Sequence, residues 1–289
     1  MSPICPSTRK VLAFVQAPRM SHWKLTLSYN GTSFHGWQVQ PGLPTIQGRL
    51  AAALHHVTGE TVLPQGSGRT DTGVHALAQV ASVTLAGPIP AANLHRALNH
   101  VLPPSIRILS AEEVPASFHA RHSARSKTYE YRIFERRASA SPDTRICSPF
   151  LAPFVWDCRW PLDLPSMQQA ATHLLGSHDF TSFAATDPDR VERDSSSSGE
   201  NSDPGGNVRC LHLSLWIQEP QLLLYRVRGN GFLHHMVRNL VGTFLEVGRG
   251  NLAETRISTI LESRARERAG PTAPARGLFL VNVEYCSGN

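Results

Sequence analysis

The chain has 289 residues, enough to bury a sizeable core in one large domain or two smaller ones. Its 28 lysines and arginines exceed its 22 acidic residues, and the resulting net charge of +6 favours a polyanionic partner. No apolar run reaches the roughly 18 residues of a membrane-spanning helix, and five scattered cysteines predict reduced thiols instead of a zinc site.

Residues 1–21 are predicted to be a disordered or short N-terminal extension. They lack the long apolar core and the small-residue cleavage site of a secretory signal, which disfavours secretion. A cytoplasmic location is therefore expected. Because this segment is basic and free of acidic residues, a short organellar presequence stays open, and so does a start at Met20 instead of Met1.

The first predicted elements are a strand and a helix. Alternation of apolar and polar residues from Lys24 to Tyr29 is typical of a half-buried strand. Thr45 is expected to cap a helix that ends at Gly59, with apolar residues at helical spacing between them. One face of this helix is expected to meet a sheet.

The stretch from Gly66 to Ala76 contains three glycines together with Arg69 and Asp71. Glycines at this density let the backbone adopt positive φ values and let another molecule approach it closely. An acidic side chain in this setting is displayed. The alternative is an ordinary loop between strands, in which Asp71 caps a turn.

A strand, a helix and a strand follow, at residues 78–85, 90–101 and 106–114. The helix is expected to bury four apolar residues, Leu94, Ala97, Leu98 and Val101. This order of elements predicts an α+β fold, with helices packed against a largely antiparallel sheet. The glycine pattern that begins at Gly66 is not followed by the helix of a dinucleotide-binding motif.

A basic segment then leads into an aromatic strand. Arg121, Arg125 and Lys127 precede Tyr129 and Tyr131, which share one face of the predicted strand. Cations beside aromatic rings are typical of sites that bind unpaired nucleotides, through phosphate neutralisation and base stacking. The alternative is a core strand that follows a solvated basic loop.

The next part of the chain mixes a helix with irregular segments. A helix is predicted over residues 164–175, and Phe180 and Phe183 after it are expected to pack in the core. Residues 136–160 suggest no function. Residues 187–207 hold six acids, two arginines and four consecutive serines, which predicts a flexible acidic surface insertion.

The C-terminal part begins with a predicted hairpin at residues 209–218 and 222–228, and in its first strand Leu211, Leu213, Leu215 and Ile217 alternate with polar or amphipathic residues. An apolar helix from Phe232 to Gly248 contains Arg238, which needs an acidic or phosphate partner unless it reaches solvent at the helix edge. A last helix over residues 252–264 and a closing strand within residues 271–285 complete the chain.

Several of these segments resemble the tRNA pseudouridine synthase A family. The likeness is carried by residues 29–38, 68–76, 127–131, 178–183, the helix with Arg238, and residues 271–285. It extends from Lys24 to Tyr285 with the motifs in the correct order. The chain has Asn30 where the family more often has aspartate, and an Asx turn accepts either residue.

The resemblance implies a pseudouridine synthase fold. It has two similar α/β halves, here residues 22–115 and 116–286, that share an extended, mostly antiparallel sheet with helices packed on it and a central cleft. It also implies a homodimer that isomerises uridine to pseudouridine in the tRNA anticodon stem-loop, at positions 38 to 40. No electrons or phosphate are exchanged, so neither a cofactor nor a metal is expected.

The resemblance also implies roles for particular residues. Asp71 would be the nucleophile, Arg238 its cationic partner, and Tyr129 the ring that stacks on the base and removes the C5 proton. Arg69 would stabilise the extruded nucleotide or a nearby phosphate, and Arg125 and Lys127 would bind RNA.

Three alternatives remain from the sequence. They are a synthase specific for other RNA positions, a tRNA-binding or folding protein without catalysis, and a hydrolase that uses Asp71 with His75 or His178.

Overall fold

A computed structural model of the chain describes residues 20–137, 145–185 and 206–286. Almost all of the predicted N-terminal extension and acidic insertion lies outside these ranges. The strands are β1 Met20–Tyr29, β2 Gln65–Gly66, β3 His75–Ala86, β4 Ile106–Val114, β5 Ala124–Glu135, β6 Trp156–Cys158, β7 Gly176–Asp179, β8 Val208–Gln218, β9 Leu223–Gly229 and β10 Leu278–Tyr285. The α-helices are α1 Ile46–Thr58, α2 Ala91–Val101, α3 Leu164–Thr172, α4 Met236–Gly248 and α5 Arg256–Ser263.

The ten strands form one mixed, mostly antiparallel sheet. Its main path runs β4-β1-β3-β10-β5-β9-β8-β7, with β2 paired to β3 and β6 paired to β5. The last strand, β10, lies between the early strand β3 and the middle strand β5. Its contact with β3 is parallel and joins Phe279 to His75 and Leu280 to Ala76. This α+β arrangement confirms the predicted fold class, and the division into two halves stays a prediction.

Local sequence signals account for the first elements. In β1, Leu25, Leu27 and Tyr29 are buried, and the residues between them are partly exposed, as the alternation predicts. The Thr45 side chain accepts a hydrogen bond from the Gly48 amide at 3.3 Å, and Gly59 ends α1 with a φ of 76°.

One continuous face of the sheet supports the site. Strand register places Tyr29 beside Ala76, Ala76 beside Leu280, Leu280 beside Tyr129, and Tyr129 beside Val227. Residues paired in this way project from the same face of the sheet. Helix α4 packs on this face farther along, where Phe244 contacts Trp216 and Tyr225 with ring centroids 5.9 and 5.1 Å apart.

Several local predictions differ from the structure, and the last helix, expected from residue 252, begins at Arg256. Val101, expected to be inward, is 37% exposed at the end of α2. In β8 the more buried side carries Ser214 and Trp216, and Leu213 and Leu215 are only partly buried, because a register shift follows Leu211. The helix expected from Phe232 begins four residues later.

Within the three described ranges, no helix is both long and apolar enough to cross a membrane.

Candidate active site

Asp71 lies on the loop between β2 and β3, and contacts on both sides fix this loop. The Tyr29 hydroxyl hydrogen-bonds to Thr70 Oγ1 at 2.7 Å, and the Trp37 amide donates to the Thr70 carbonyl oxygen at 3.0 Å. Gln79 Nε2 donates to the Gly68 carbonyl oxygen at 2.9 Å. The loop therefore holds Asp71 in one position on the face that carries Tyr29.

The segment after β1 packs closely against the same loop. A Cβ atom on Gly31 would overlap the Val74 carbonyl oxygen, so only glycine fits there. Beyond Asp71 the chain turns, with the Val74 amide donating to the Asp71 carbonyl oxygen at 3.1 Å. Gly73, within this turn, has a φ of 79° that favours glycine. These features explain part of the glycine density in the sequence.

Arg238, the third residue of α4, meets Asp71. Its Nη1 donates to Asp71 Oδ2 at 3.0 Å, and its Nε donates to the Ala273 carbonyl oxygen at 2.7 Å. The two side chains are 15% and 21% exposed. Because both are largely removed from water, each supplies the charge that the other needs. The apolar helix thus places its arginine against an acid.

The loop before β10 supports this pair. It packs so closely on α4 that a Cβ atom on Gly242 would overlap the Pro271 carbonyl oxygen. The Ala273 amide donates to the Arg238 carbonyl oxygen at 3.1 Å, while the Ala273 carbonyl oxygen accepts from the guanidinium. The position of Arg238 therefore depends on residues 271–273.

His75 connects three separate segments beside the site. Its Nδ1 accepts from the Gly31 amide at 3.1 Å, which leaves Nε2 as the nitrogen that donates to the Arg276 carbonyl oxygen at 3.2 Å. Its ring stacks on Phe279 with centroids 4.7 Å apart. Burial lowers the pKa of His75, so the neutral form that makes both bonds is favoured.

Two adjacent histidines also approach Asp71. His235 Nε2 lies 3.3 Å from Asp71 Oδ2, and His234 Nε2 lies 3.7 Å from Asp71 Oδ1. His235 has a φ of 58°, a left-handed conformation that is uncommon for a residue other than glycine. This bend places both rings on one side, with centroids 3.9 Å apart. Burial lowers the pKa of His235 despite the neighbouring carboxylate.

Asp71, His234 and His235 are also of the right types to hold a metal ion. Within the described part of the chain they form the one group of three potential ligands, with ligating atoms within 4.8 Å of one another. A carboxylate with two imidazoles suits a divalent transition metal. However, Arg238 already donates to one carboxylate oxygen, and its positive charge would oppose a bound cation.

Tyr129 lies in the same cleft. Its ring is 7% exposed and makes an edge-to-face contact with Phe232, at a centroid distance of 5.0 Å. Burial raises the pKa of Tyr129, and electrostatic interactions with the neighbouring Tyr29 and Asp71 side chains raise it further. Its hydroxyl has no hydrogen-bond partner among the described residues, so it is available to a ligand.

The predicted RNA-binding residues lie at different depths. The Lys127 ammonium lies over Gly68, where a Cβ atom would be 3.2 Å from Nζ. Arg69 and Arg125 are exposed to solvent. The structure thus brings together Asp71, Arg238, Tyr129 and Lys127, and it leaves the other two arginines at the surface.

Sequence reasoning assigned no function to His234 and His235. Residues 231–235 precede the helix, and a non-glycine residue with positive φ gives no recognisable sequence signal. The one available signal was spacing, because His235 and His234 lie three and four residues before Arg238.

The histidines of the hydrolase alternative are engaged elsewhere. Both ring nitrogens of His75 are used in the bonds to Gly31 and Arg276. His178 Nε2 lies 2.8 Å from the Leu175 carbonyl oxygen. Neither imidazole is positioned to activate water beside Asp71.

The fold and the site define an α+β enzyme in which a carboxylate, a guanidinium and a tyrosine face one cleft. A family model described as tRNA pseudouridine synthase matches residues 26–123 and 170–286. The chain therefore belongs to the tRNA pseudouridine synthase family, whose members isomerise uridine to pseudouridine in tRNA.

Named relatives agree with this assignment. The tRNA pseudouridine synthase A of Solibacter usitatus is 49% identical over 266 residues, which cover 92% of this chain and 100% of the relative. That of Moorella thermoacetica is 44% identical and covers 91% and 98%, and that of Acetivibrio thermocellus is 40% identical and covers 92% and 100%.

Proposed function

We propose that the chain converts uridine to pseudouridine in the tRNA anticodon stem-loop, at positions 38 to 40, with Asp71 as the catalytic nucleophile. The observation that carries this proposal is the contact between Asp71 and Arg238, with 3.0 Å between Oδ2 and Nη1, in the cleft that Tyr129 lines. An ionised carboxylate held beside a stacking ring is what the isomerisation requires.

The reaction breaks the bond between N1 and C1′ and forms a bond between C5 and C1′. Asp71 would attack C1′ or would remove the C2′ proton to give a glycal, and both routes remain open. Arg238 would hold the carboxylate aimed at the sugar through its hydrogen bond to Oδ2. After the uracil has turned and rejoined, the C5 proton leaves and a proton is gained at N1, so the atoms balance.

Tyr129 would stack on the uracil and accept the C5 proton. Because burial favours its neutral phenol, Tyr129 would accept that proton only while passing its own to another group. The Asp71 carboxylate, freed at the end of the reaction, is one such group.

The RNA would be held by cations around the cleft. A paired base is out of reach, so the target nucleotide would flip out at a cost of a few kcal/mol. Lys127 would bind RNA within the cleft, and the exposed Arg69 and Arg125 would contact phosphates at its rim.

The central experiment measures tritium release from an unmodified tRNA transcript that carries C5-tritiated uridine. The wild-type protein should release tritium, and the Asp71→Asn variant should release none while still binding the tRNA. Equal release from both proteins, or none from either, would contradict the proposal. Free uracil or cleaved RNA would indicate a hydrolase instead.

We also propose that the protein acts as a homodimer in the cytoplasm. Support for the compartment comes from Cys147, Cys158, Cys210 and Cys286, which are all free thiols. Light scattering during size-exclusion chromatography should give twice the chain mass of 31.7 kDa. A monomer that binds tRNA with full activity would contradict the dimer.

A further inference from the structure

Lys127 is an unpaired cation in a largely enclosed position. It belongs to β5 and shares a face with Tyr129, and its Nζ lies over the Gly68 backbone. Within the described residues, its ammonium has neither a hydrogen-bond partner nor an ion-pair partner. Burying an ammonium without an opposite charge is unfavourable, which indicates that an anion completes this position when a ligand is present.

Arg121 and Arg209, from two other elements, lie near enough for their positive charges to act on Lys127. Arg121 lies in the turn before β5, and the Tyr285 hydroxyl anchors this turn by donating to the Ala120 carbonyl oxygen at 2.7 Å. Arg209 lies in β8, where its side chain packs over Gly231 and donates to the Val208 carbonyl oxygen at 2.6 Å.

The pKa of Lys127 is consistent with an enclosed position near two other cations. Burial, and after it the positive charges of Arg121 and Arg209, lower the pKa of Lys127 to about 8. Three cations therefore converge on a position that the catalytic loop borders through Gly68.

We infer that Lys127, Arg121 and Arg209 form a subsite for one phosphodiester of the RNA, next to the nucleotide that enters the cleft. This inference rests on the proposed function. It adds Arg209, which the sequence did not suggest. It also assigns Lys127, together with Arg121 of the same basic segment, to a particular phosphate instead of a general attraction to RNA.

A phosphodiester fits this position better than a neutral base, and it is the anion that an RNA chain carries at every internucleotide linkage. Its two non-bridging oxygens share one negative charge, so one group can accept from an ammonium and from guanidinium donors. A Cβ atom on Gly68 would lie 3.2 Å from Lys127 Nζ, and one on Gly231 would lie 3.3 Å from the Arg209 side chain, so glycine at both positions lets the two cations lie close to the backbone. Gly68 precedes Asp71 by three residues, about 10 Å of extended chain at most, which places the subsite near the flipped uridine.

Binding measurements with modified RNA test the subsite. The protein is the Asp71→Asn variant, so no turnover disturbs the measurement. The probes are anticodon stem-loop RNAs, each with one phosphate near the target uridine replaced by an uncharged methylphosphonate. At one position the replacement should weaken binding about tenfold or more. In Asp71→Asn with Lys127→Met, the same replacement should change affinity less than twofold.

A matched variant separates this contact from general electrostatics. Asp71→Asn with Arg125→Ala removes an exposed cation from the same strand, and it should keep the position-specific loss. Arg121→Ala and Arg209→Ala should each reduce that loss. If every methylphosphonate weakens all of these proteins equally, the subsite is wrong while the proposed reaction stands. If none of them binds the stem-loop, both proposals fail.

The pH dependence of binding gives a second readout. Because only the protonated amine binds a phosphate, affinity should fall as pH rises above about 8, the pKa of Lys127 in the free protein. Arg121 and Arg209 stay charged throughout this range. The Lys127→Arg variant should keep the affinity and lose this dependence. The same decline in the Lys127→Arg variant would overturn the role of Lys127.

Discussion

The two faces of strand β5 carry charge in different ways. On one face the Glu130 carboxylate, 6% exposed, accepts from Arg132 Nε at 2.9 Å and from Arg226 Nη2 at 2.7 Å. On the other face Lys127 and the Tyr129 hydroxyl have no partner among the described residues, and the nearby Asp71 pairs with Arg238.

This difference distinguishes a structural cluster from a site prepared for a substrate. Glu130 is held by donors from its own strand and from β9, which the sheet fixes in place. Asp71 is on a loop, and its partner comes from a helix 167 residues later. Buried polar groups in native proteins are normally satisfied. Lys127 and the Tyr129 hydroxyl, which lack partners within the described part of the chain and lie close to the loop of Asp71, therefore indicate where a ligand supplies them.

The largest expected effect comes from exchanging one arginine on each face for lysine. Arg238→Lys should lower kcat by about 100-fold to 1,000-fold, because lysine cannot contact Asp71 and Ala273 with the same geometry. Arg226→Lys should leave kcat within about twofold. Single-turnover tritium release measures both. A similar loss in the two variants would remove the distinction between the faces.

A pair of tyrosine variants on the cleft face compares a hydroxyl that is open to a ligand with one that has a partner within the protein. Tyr129→Phe removes a hydroxyl without a partner, so it should leave stability unchanged and lower the rate by about 100-fold or more. Tyr225→Phe removes the 2.9 Å hydrogen bond to Ser214, which should cost about 1 kcal/mol of unfolding free energy and leave the rate unchanged. Urea unfolding and tritium release measure the two properties. An unaltered rate in Tyr129→Phe would contradict its role.

Gly242→Ala tests whether the cleft depends on its supporting loop. The added methyl would overlap the Pro271 carbonyl oxygen, so unfolding free energy should fall by about 1–3 kcal/mol. Displacement of residues 271–273 should also misplace Arg238 and lower kcat. Calorimetry and rate measurements check both effects. Full activity in this variant would show that Arg238 is positioned without the loop.

Glu130→Gln should affect stability alone. Because Arg132 and Arg226 are partly exposed, its effect should be about 1–2 kcal/mol of unfolding free energy, with kcat unchanged. Glu112→Gln is a suitable control. Glu112 pairs with Lys24 at the surface, so its replacement should lower the unfolding free energy by about 0.5 kcal/mol or less. A large fall in kcat for Glu130→Gln would mean that the two faces are coupled.

His75 should give the smallest effect, a pH dependence of stability. Its folded pKa lies below the usual 6.5, so between these values the unfolded chain binds more protons than the folded protein. Its contribution to stability is therefore complete above about pH 6.5 and decreases as pH falls, by at most about 1.4 kcal/mol per pH unit. Urea unfolding of wild type and His75→Gln at several pH values isolates the contribution of His75 to the unfolding free energy. If the unfolding free energies of the two proteins changed with pH in parallel, the contribution of His75 would be contradicted.

The structural features predicted best from the sequence are those that neighbouring residues determine. Alternation in β1 and the caps of α1 at Thr45 and Gly59 depend on nearby residues, and they could be recognised directly. Which side of β8 is buried could not be recognised from the sequence, because the register shift after Leu211 depends on how β9 pairs with β8.

The site required information from distant segments. Contact between Asp71 and Arg238 followed from the resemblance to a family, because no local pattern relates residues so far apart in the chain. The left-handed backbone conformation of His235 occurs where a loop joins α4, and no residue near it in the sequence indicates this conformation. The insertion of β10 between β3 and β5 is equally non-local.

That insertion has a consequence for the order in which the protein is synthesised. A ribosome has already made Asp71, Tyr129 and Arg238 before it reaches residues 271–285. Until those residues emerge, β3 and β5 have no strand between them, and Ala273 cannot hold the arginine. The nascent chain therefore carries every proposed reactive group without the arrangement that makes them work together. Pseudouridine formation would begin only after residues 271–285 have been made and have taken their place in the sheet.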